Sequence, residues 1–449
     1  MIASLEGGGS EQQILLLLKH LDRTRFRPEL YLLRRSGSLL NQIPGDVPVH
    51  SFDDLSVAAD GAAEADVAEN STDWKSGLGG DRGEAGLSTQ NNRSSIRTER
   101  RNHAWRWLAP LLRLRRNINW PGKIHRAQVC HLVQVLQERQ IDVIYDRTFL
   151  MTLIAAPAAA RVGVPRVSTI VSPPSRIVPL LGGRFLAIKR RRLRAAYAAA
   201  AAVVAVSRPT ARDAARYYDL PRRRIRVIPN PVDAAALDAV VAATPAPPRD
   251  RGWTIACVGR MSVEKGQATL IEALDWLRQH YPEEPLPYLW MIGDGELRGS
   301  LEQQVQSRGL GAKVRFWGHV AQPAPWIAAA DALCLPSHFE GFPNVMLEAM
   351  ALGTPVIARS LDVVRSLGSL PQQPDIRGRN YLAVFDATPG ADVGSLAQRI
   401  RNVKHNSTAT RSRVQAARRL AREAHAISHL VPRIEYLLSI PSVISWQKR

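Results

Sequence analysis

The sequence predicts an α/β fold of two doubly wound, parallel-sheet domains facing each other across a deep cleft, and three observations lead to it. Short apolar runs alternate with helical patterns along both halves, as in "VVAVS" leading into "RPTARDAARYYDL" and "TIACVG" leading into "QATLIEALDWLRQH". The alternation is broken at "ATPAPPRDRG", Ala243 to Gly252, whose prolines and lack of period mark an interdomain linker. A chain of 449 residues, 45% hydrophobic and 22% charged, is also long enough to build two cores.

Composition narrows the function. The smoothest apolar stretch, Ala195 to Val206, is shorter than the roughly 20 residues that span a bilayer, and "MIASLEGGGSE" lacks the basic start and apolar run of a signal peptide, so a soluble, cytoplasmic chain is expected. Cys130, Cys257 and Cys334 are scattered without a CxxC, which indicates neither disulfides nor a zinc site. Sixty Lys and Arg against 40 Asp and Glu give a charge of +20, which favours an anionic partner: nucleic acid, phospholipid or a phosphorylated substrate. Nucleic acid is not expected, since no aromatic-rich RNP stretch or zinc finger appears.

The elements follow in order. Residues 1–242 are expected to form the first domain. Its "EGGGSEQQ", Glu6 to Gln13, runs from a strand into a helix, where Gly8 and Gly9 let the backbone approach a phosphate or acceptor; a plain tight turn is the alternative. Residues 55–99 have few large apolar side chains and no period, and read as a disordered insertion. Arg100–Arg116 interleaves Trp105, Trp107 and leucines with arginines, as a helix that packs on its own domain or meets an anionic membrane surface. Strand patterns recur at "IDVIYD", "PRVSTIV", "VVAVS" and "RIRVIPNPVD", and Arg184–Arg194 is a basic helix, either solvated or lipid-facing. After the linker at 243–252, residues 253–425 are expected to form the second domain, and 426–449 a terminal helix that returns to the first.

One stretch carries most of the chemistry. "HFEGFPNVMLEAMALG", His338 to Gly353, sets Glu340 before a helix that starts near Pro343 and stops at Gly353. The free N–H groups around Phe342 to Val345 suit an anion or an electron-rich oxygen. Asn344 and Glu348, four apart, share a face. Such carboxylates suit a sugar nucleotide, one accepting from a ribose diol and the other from a hexose hydroxyl. Arg260 at a strand end and Lys265 before the next helix can both reach a diphosphate, Arg through a planar fork and Lys as a point charge. Each motif alone also reads as a solvated loop or an exposed helical glutamate. His338 and "MIGDG" read as local packing and a strand-to-helix turn.

Together these stretches closely resemble the Glu, seven residues, Glu motif and its companions in family 4 of the retaining GT-B glycosyltransferases, the glycosyl transferases group 1. "GRMSVEKGQATLIEAL", "MIGDGELRGSLEQQV", "VRFWGHV", "VSRPTARD", "IPNPVD" and "GGGSEQQILLLLKHLD" carry the likeness along most of the chain. The resemblance implies two facing Rossmann-like domains, 1–242 on the acceptor side and 253–425 binding the donor, and transfer of a hexose from a nucleotide diphosphate sugar to a glycan or lipid-linked acceptor. Arg260, Lys265 and Glu340 would be catalytic. Donor binding would fall to Gly8, Gly9, Gly259, Trp317, Gly318, Val320, Phe342, Pro343, Asn344, Val345 and Glu348, with the base held by backbone near Trp317 to Val320. No Asp-x-Asp pair is present, so neither a metal nor another cofactor is expected beside the nucleotide-sugar co-substrate. The implied mechanism retains configuration, the departing phosphate oxygen helping to deprotonate the acceptor hydroxyl.

The chain departs from the family at three places. Only "MIAS" stands for the opening strand, Ser172, Pro173 and Pro174 stand where a histidine often follows "VSTIV", and "RSLDVVRSLGSLPQQPD" replaces a Gly-Gly turn with a Pro-Glu pair. Two other readings therefore stay open: a catalytically degenerate binding protein, and a sugar-nucleotide epimerase, which would need acid and base groups at the sugar carbons.

Overall fold

The computed structural model describes residues 1–53, 122–181, 183–249, 251–367, 381–386, 388 and 390–446. The insertion expected at 55–99 and the Trp- and Arg-rich stretch Arg100–Arg116 lie outside the described residues.

In the first domain the chain runs α1 (Gly9–His20), β1 (Leu30–Leu32), β2 (Val49–Ser51), α2 (Lys123–Glu138), β3 (Ile144–Arg147), α3 (Phe149–Val162), β4 (Arg166–Ile170), α4 (Pro174–Leu181), α5 (Leu186–Ala199), β5 (Ala202–Ala205), α6 (Arg208–Tyr218) and β6 (Ile225–Val227). Strands β3-β4-β5-β6 form a parallel sheet and β1-β2 a parallel pair. The opening residues join the two. Ile2 bridges Leu32 in parallel, and the Met1 ammonium donates to the Tyr145 carbonyl at 2.8 Å. The "MIAS" strand is thus reduced to one bridge, yet it still occupies the slot between β1 and β3.

The second domain follows as α7 (Ala234–Ala243), β7 (Thr254–Val258), α8 (Gln267–His280), β8 (Tyr288–Ile292), α9 (Arg298–Ser307), β9 (Val314–Gly318), α10 (Ala324–Ala329), β10 (Ala332–Leu335), α11 (Asn344–Leu352), β11 (Val356–Arg359), α12 (Asp362–Arg365), β12 (Ala383–Phe385), α13 (Asp392–His405) and α14 (Ser407–Ala424). Its six parallel strands take the order β12-β11-β10-β7-β8-β9. Both faces are covered, and that is why the strands read as continuous apolar runs. Ile255, Cys257, Leu289, Met291, Ala332 and Cys334 pack to one side, while Ala256, Trp290, Ile292, Leu333 and Leu335 pack to the other, the period-2 alternation of extended chain.

The chain crosses between domains twice. Val232 already packs in the second-domain core and α7 lies against α10 and α11, so the crossing comes ahead of the proline-rich stretch. The return is α15 (Ile427–Trp446), whose Leu430, Val431, Ile434, Leu437 and Leu438 pack with Val167, Val204 and Ile228 of the first domain. The two crossings are tied: Val232 bridges Ala426, and its N–H donates to the His425 carbonyl at 2.9 Å. Among the described residues no helix is long and apolar enough to cross a membrane.

Candidate functional site

The strand order of the second domain places its switch point between β7 and β10, where successive crossovers leave on opposite faces of the sheet and open a crevice at the carboxyl ends. The loop after β7 carries Arg260 and Lys265, and the loop after β10 carries Glu340. They meet: Lys265 Nζ lies 2.7 Å from Glu340 Oε1, and the Ser337 hydroxyl donates to the same oxygen at 2.9 Å. Glu340 Oε2 has no hydrogen-bond partner among the described residues. Gly259, at φ +151°, turns the chain sharply out of β7 and leaves room beside the Lys265 stem. Burial by itself would lower the Lys265 pKa, but the Glu340 carboxylate outweighs it and holds the ammonium above the ordinary lysine range. Arg260 is exposed, and its guanidinium has no partner among the described residues; Gln267 fixes the loop by donating to the Arg260 carbonyl at 2.8 Å. The pair therefore presents one held cation and one free one.

Glu348 stands apart. It lies on α11 one turn beyond Asn344 and so on the face that Asn344 turns to the first domain. It is half-buried with no hydrogen-bond partner among the described residues, and burial pushes its carboxyl up to about 7. An under-solvated carboxylate of this kind is well placed to accept from a pair of hydroxyls.

The helix tip itself is used differently from what the spacing suggested. Asn344 Nδ2 donates to the Gly9 carbonyl across the cleft at 2.8 Å, and Asn344 Oδ1 accepts from Asn230 Nδ2 at 2.7 Å. Asn230 also donates to the Phe342 carbonyl at 3.3 Å and accepts from Arg147 at 2.9 Å. His425 Nδ1 stands 3.2 Å from the Asn230 carbonyl, and burial lowers the imidazole pKa to about 4, so the ring is neutral at pH 7. Asn344 is thus a tie between domains, and Asn230 is the hub where the tie meets the paired crossings. Pro343 is the N-cap of α11, the Phe342 ring packs 5.2 Å from His425, and Val345 packs on the second-domain core. Gly341 closes the contact, for a Cβ there would lie 1.8 Å from the Val171 carbonyl oxygen. On the far rim the Ser38 hydroxyl lies 3.0 Å from His319.

The glycine turn of the first domain is already filled. Glu11 curls back so that one carboxylate oxygen accepts from the Gly7 N–H at 2.6 Å and the Gly8 N–H at 2.9 Å, and burial raises its pKa. Gly8 therefore caps α1 while Gly9 offers its carbonyl to Asn344. In the segment expected to hold a base, the Trp317 ring packs edge-on to Trp290 and Trp326 at 5.9 and 5.8 Å, under the Arg315 guanidinium at 3.9 Å. The Gly318 carbonyl accepts from the Gly293 N–H at 2.7 Å, and Val320 packs on the same core. The Trp317 side chain is thus structural, and the Gly318 carbonyl is already used within the sheet.

Sequence reasoning passed over Asn230, His425, Glu11 and Gly341. Asn230, Glu11 and Gly341 lie inside quoted motifs, where polar residues buried at a crossing or a turn were the available signal. His338 packs locally, its N–H donating to the Glu264 carbonyl at 2.8 Å.

Comparison with known proteins agrees with this layout. Residues 252–403 match the family described as Glycosyl transferases group 1, and residues 89–236 match Glycosyltransferase Family 4. A lipopolysaccharide core biosynthesis glycosyltransferase, LpsE of Rhizobium meliloti (strain 1021), is 38% identical over 137 residues, 30% of this chain and 38% of that protein. A D-inositol 3-phosphate glycosyltransferase of Jonesia denitrificans is 40% identical over 113 residues, 24% of this chain and 27% of its own. A glycogen synthase of Mycobacterium tuberculosis is 32% identical over 196 residues, 43% of each chain. The chain thus spans well under two thirds of the length of these curated relatives. Solved structures extend the likeness of fold: Anabaena Alr3699/HepE in complex with UDP and glucose superposes with a TM-score of 0.64 at 20% identity, over 98% of this chain and 99% of that one. The lipopolysaccharide outer core galactosyltransferase WaaB superposes with a TM-score of 0.56 at 16% identity, over 97% of both chains. With both halves matched and the two-domain fold shared along nearly the whole length, the chain belongs to the group 1 glycosyltransferases of GT-B fold.

Proposed function

We propose that the protein transfers a hexose, with retention and without a metal, from a nucleotide diphosphate sugar to a glycan or lipid-linked acceptor. The observation that carries the reading is the Lys265–Glu340 pair at the switch point, with the free Arg260 guanidinium on the same loop as Lys265. Two fixed cations would neutralise the diphosphate as the bond from the sugar C1 to its phosphate oxygen breaks. The free Oε2 of Glu340 would hold a hexose hydroxyl, and Glu348 would accept from the ribose diol. The acceptor oxygen would then bond C1 on the face that the phosphate leaves, and the departing phosphate oxygen would take the acceptor's proton. This supports charge compensation by the protein rather than by a divalent ion.

The acceptor side favours a lipid-linked substrate at the inner face of a membrane. Ile188, within the basic Arg184–Arg194, is exposed at 43%, and Leu180 and Leu181, at the end of the preceding helix α4, at 47 and 51%. Each cation near an anionic leaflet contributes about 1 kcal/mol.

HepE was solved with UDP and with UDP-glucose, so UDP-sugars are tested first. The experiment is a metal-free thermal shift with UDP, GDP and ADP and their sugar conjugates on the wild type, Lys265→Ala and Glu348→Ala. A ligand at 100 times its dissociation constant stabilises by about 2.7 kcal/mol. One nucleotide family should stabilise the wild type and neither variant. Stabilisation by none of them would leave a degenerate binding protein as the better reading.

A further inference from the structure

Away from the cleft, an open surface pocket of about 340 Å³ lies between α8 and α13, lined by Trp276, Gly394, Ser395, Gln398, Arg399 and Asn402. That volume lies within the range of small-molecule sites. Trp276 is ten positions beyond Gly266, so roughly 14 Å of helix separates it from the Lys265 end. Its indole is held in one plane by the His280 ring, stacked at 3.8 Å and 11°. The absence of a side chain at Gly394 leaves the Nε1 edge uncovered: a Cβ there would sit 3.8 Å from Cε2 and Nε1.

The polar lining faces solvent, with Gln398 and Asn402 exposed and Trp276 and Arg399 half-buried. The Trp276 indole N–H, the Gln398 and Asn402 amides and the Arg399 guanidinium have no hydrogen-bond or ion-pair partner among the described residues. Arg399 is half-buried with no carboxylate beside it, and burial and then the charge of Arg413 lower its pKa. A guanidinium in that position is stabilised by an anion. Gln398 and Asn402 lie one turn apart on α13, so their amides present donors and acceptors side by side. A flat aromatic body beside two amides suits the C–H face and hydroxyl edge of a sugar ring, and the guanidinium fork suits a carboxylate on that ring.

We infer that this cavity is a second saccharide site, outside the transfer cleft, that takes an acidic sugar unit of a glycan chain. It would hold a growing or accepted chain against the donor-binding domain while the reacting end enters the cleft. This goes beyond the transfer reading and is tested separately from it.

The test is calorimetric titration of the whole protein with trigalacturonate, maltotriose and inorganic phosphate. The variants are Gly394→Leu, which fills the cavity from a position where a Cβ meets only ordinary contacts, Arg399→Gln, Trp276→Ala and Lys265→Ala. Trigalacturonate should bind the wild type and Lys265→Ala equally and bind Gly394→Leu and Arg399→Gln at least 10-fold more weakly, with maltotriose much weaker throughout. Because Trp276 also packs on the core, Gly394→Leu decides the matter if Trp276→Ala does not fold. Undiminished binding to Gly394→Leu would overturn the site, as would equal binding of maltotriose or full competition by phosphate alone. Loss of binding in Lys265→Ala would return the saccharide to the cleft and overturn the inference too.

Discussion

Lys265 and Glu340 stand 75 positions apart in the chain and 2.7 Å apart in the fold, joined at the one place where the second sheet reverses its winding. Neither is idle in the pair. Glu340 keeps the ammonium charged in spite of burial, and Lys265 together with Ser337 occupies one carboxylate oxygen, the other having no partner among the described residues.

Lys265→Ala should lower kcat/KM for transfer by about 100- to 1,000-fold, the usual cost of removing one preorganised charge stabiliser. Glu340→Gln should cost less in donor affinity, since the cation remains. Steady-state kinetics on both single variants and the double variant measure the coupling; additive losses would mean that the two act independently.

Glu348 gives the protein a pH-dependent stability of a definite sign. Its folded pKa of about 7 lies above the ordinary 4.5, so the folded state binds the proton more tightly. Stability is therefore fully present below about pH 4.5 and falls as pH rises toward and past 7. Glu348→Gln should remove that slope and be more stable than wild type at pH 8 by on the order of 1 kcal/mol, while binding donor more weakly. Urea denaturation at pH 5 and pH 8 reads the first effect, and nucleotide titration the second.

The contact across the cleft is tight enough to be broken by one methyl group. Gly341→Ala would place a Cβ 1.8 Å from the Val171 carbonyl oxygen, so the backbone there must shift, and parting of the domains is the expected relief. Asn344→Ala removes the tie to Gly9 and leaves Asn230 short of a partner, at about 1–3 kcal/mol. Small-angle scattering should show a larger radius of gyration for Gly341→Ala, and KM for donor should rise in both. An unchanged radius for Gly341→Ala would mean that the loop, rather than the domain, yields.

His425 sets the acid limit. Its folded pKa of about 4 lies below the ordinary 6.5, so its contribution is intact above about 6.5 and is lost as pH falls through 4, where the buried ring must take a charge. His425→Leu should flatten the stability profile in that window and cost about 1 kcal/mol at pH 7 through the lost bond to Asn230. Denaturation midpoints at pH 4.5 and pH 7 check both.

The second domain was legible because its strands are buried on both faces: runs such as "TIACV" and "YLWMI" declare themselves by composition alone. Arg260, Lys265, Glu340 and Glu348 were legible because their types and spacing are chemical. Asn344 was assigned to the right helix turn but not to its partner, since a four-residue spacing fixes a face and cannot say what that face meets. Gly8 reads as a phosphate turn until Glu11 is seen to fill it.

By itself the sequence determined the two α/β domains and the cations and carboxylates at strand ends, because periodicity and local spacing are properties of contiguous chain; it put the linker at 243–252, whereas the chain has already crossed by Val232. Only the tertiary structure decided that Lys265 pairs with Glu340, that Glu348 has no partner among the described residues, and that Asn230 ties the crossings to Asn344 and Gly9. Those relations join residues scores or hundreds of positions apart. They depend on the order in which parallel strands lie in a sheet and on how closely two sheets approach, and no local pattern of residues encodes either.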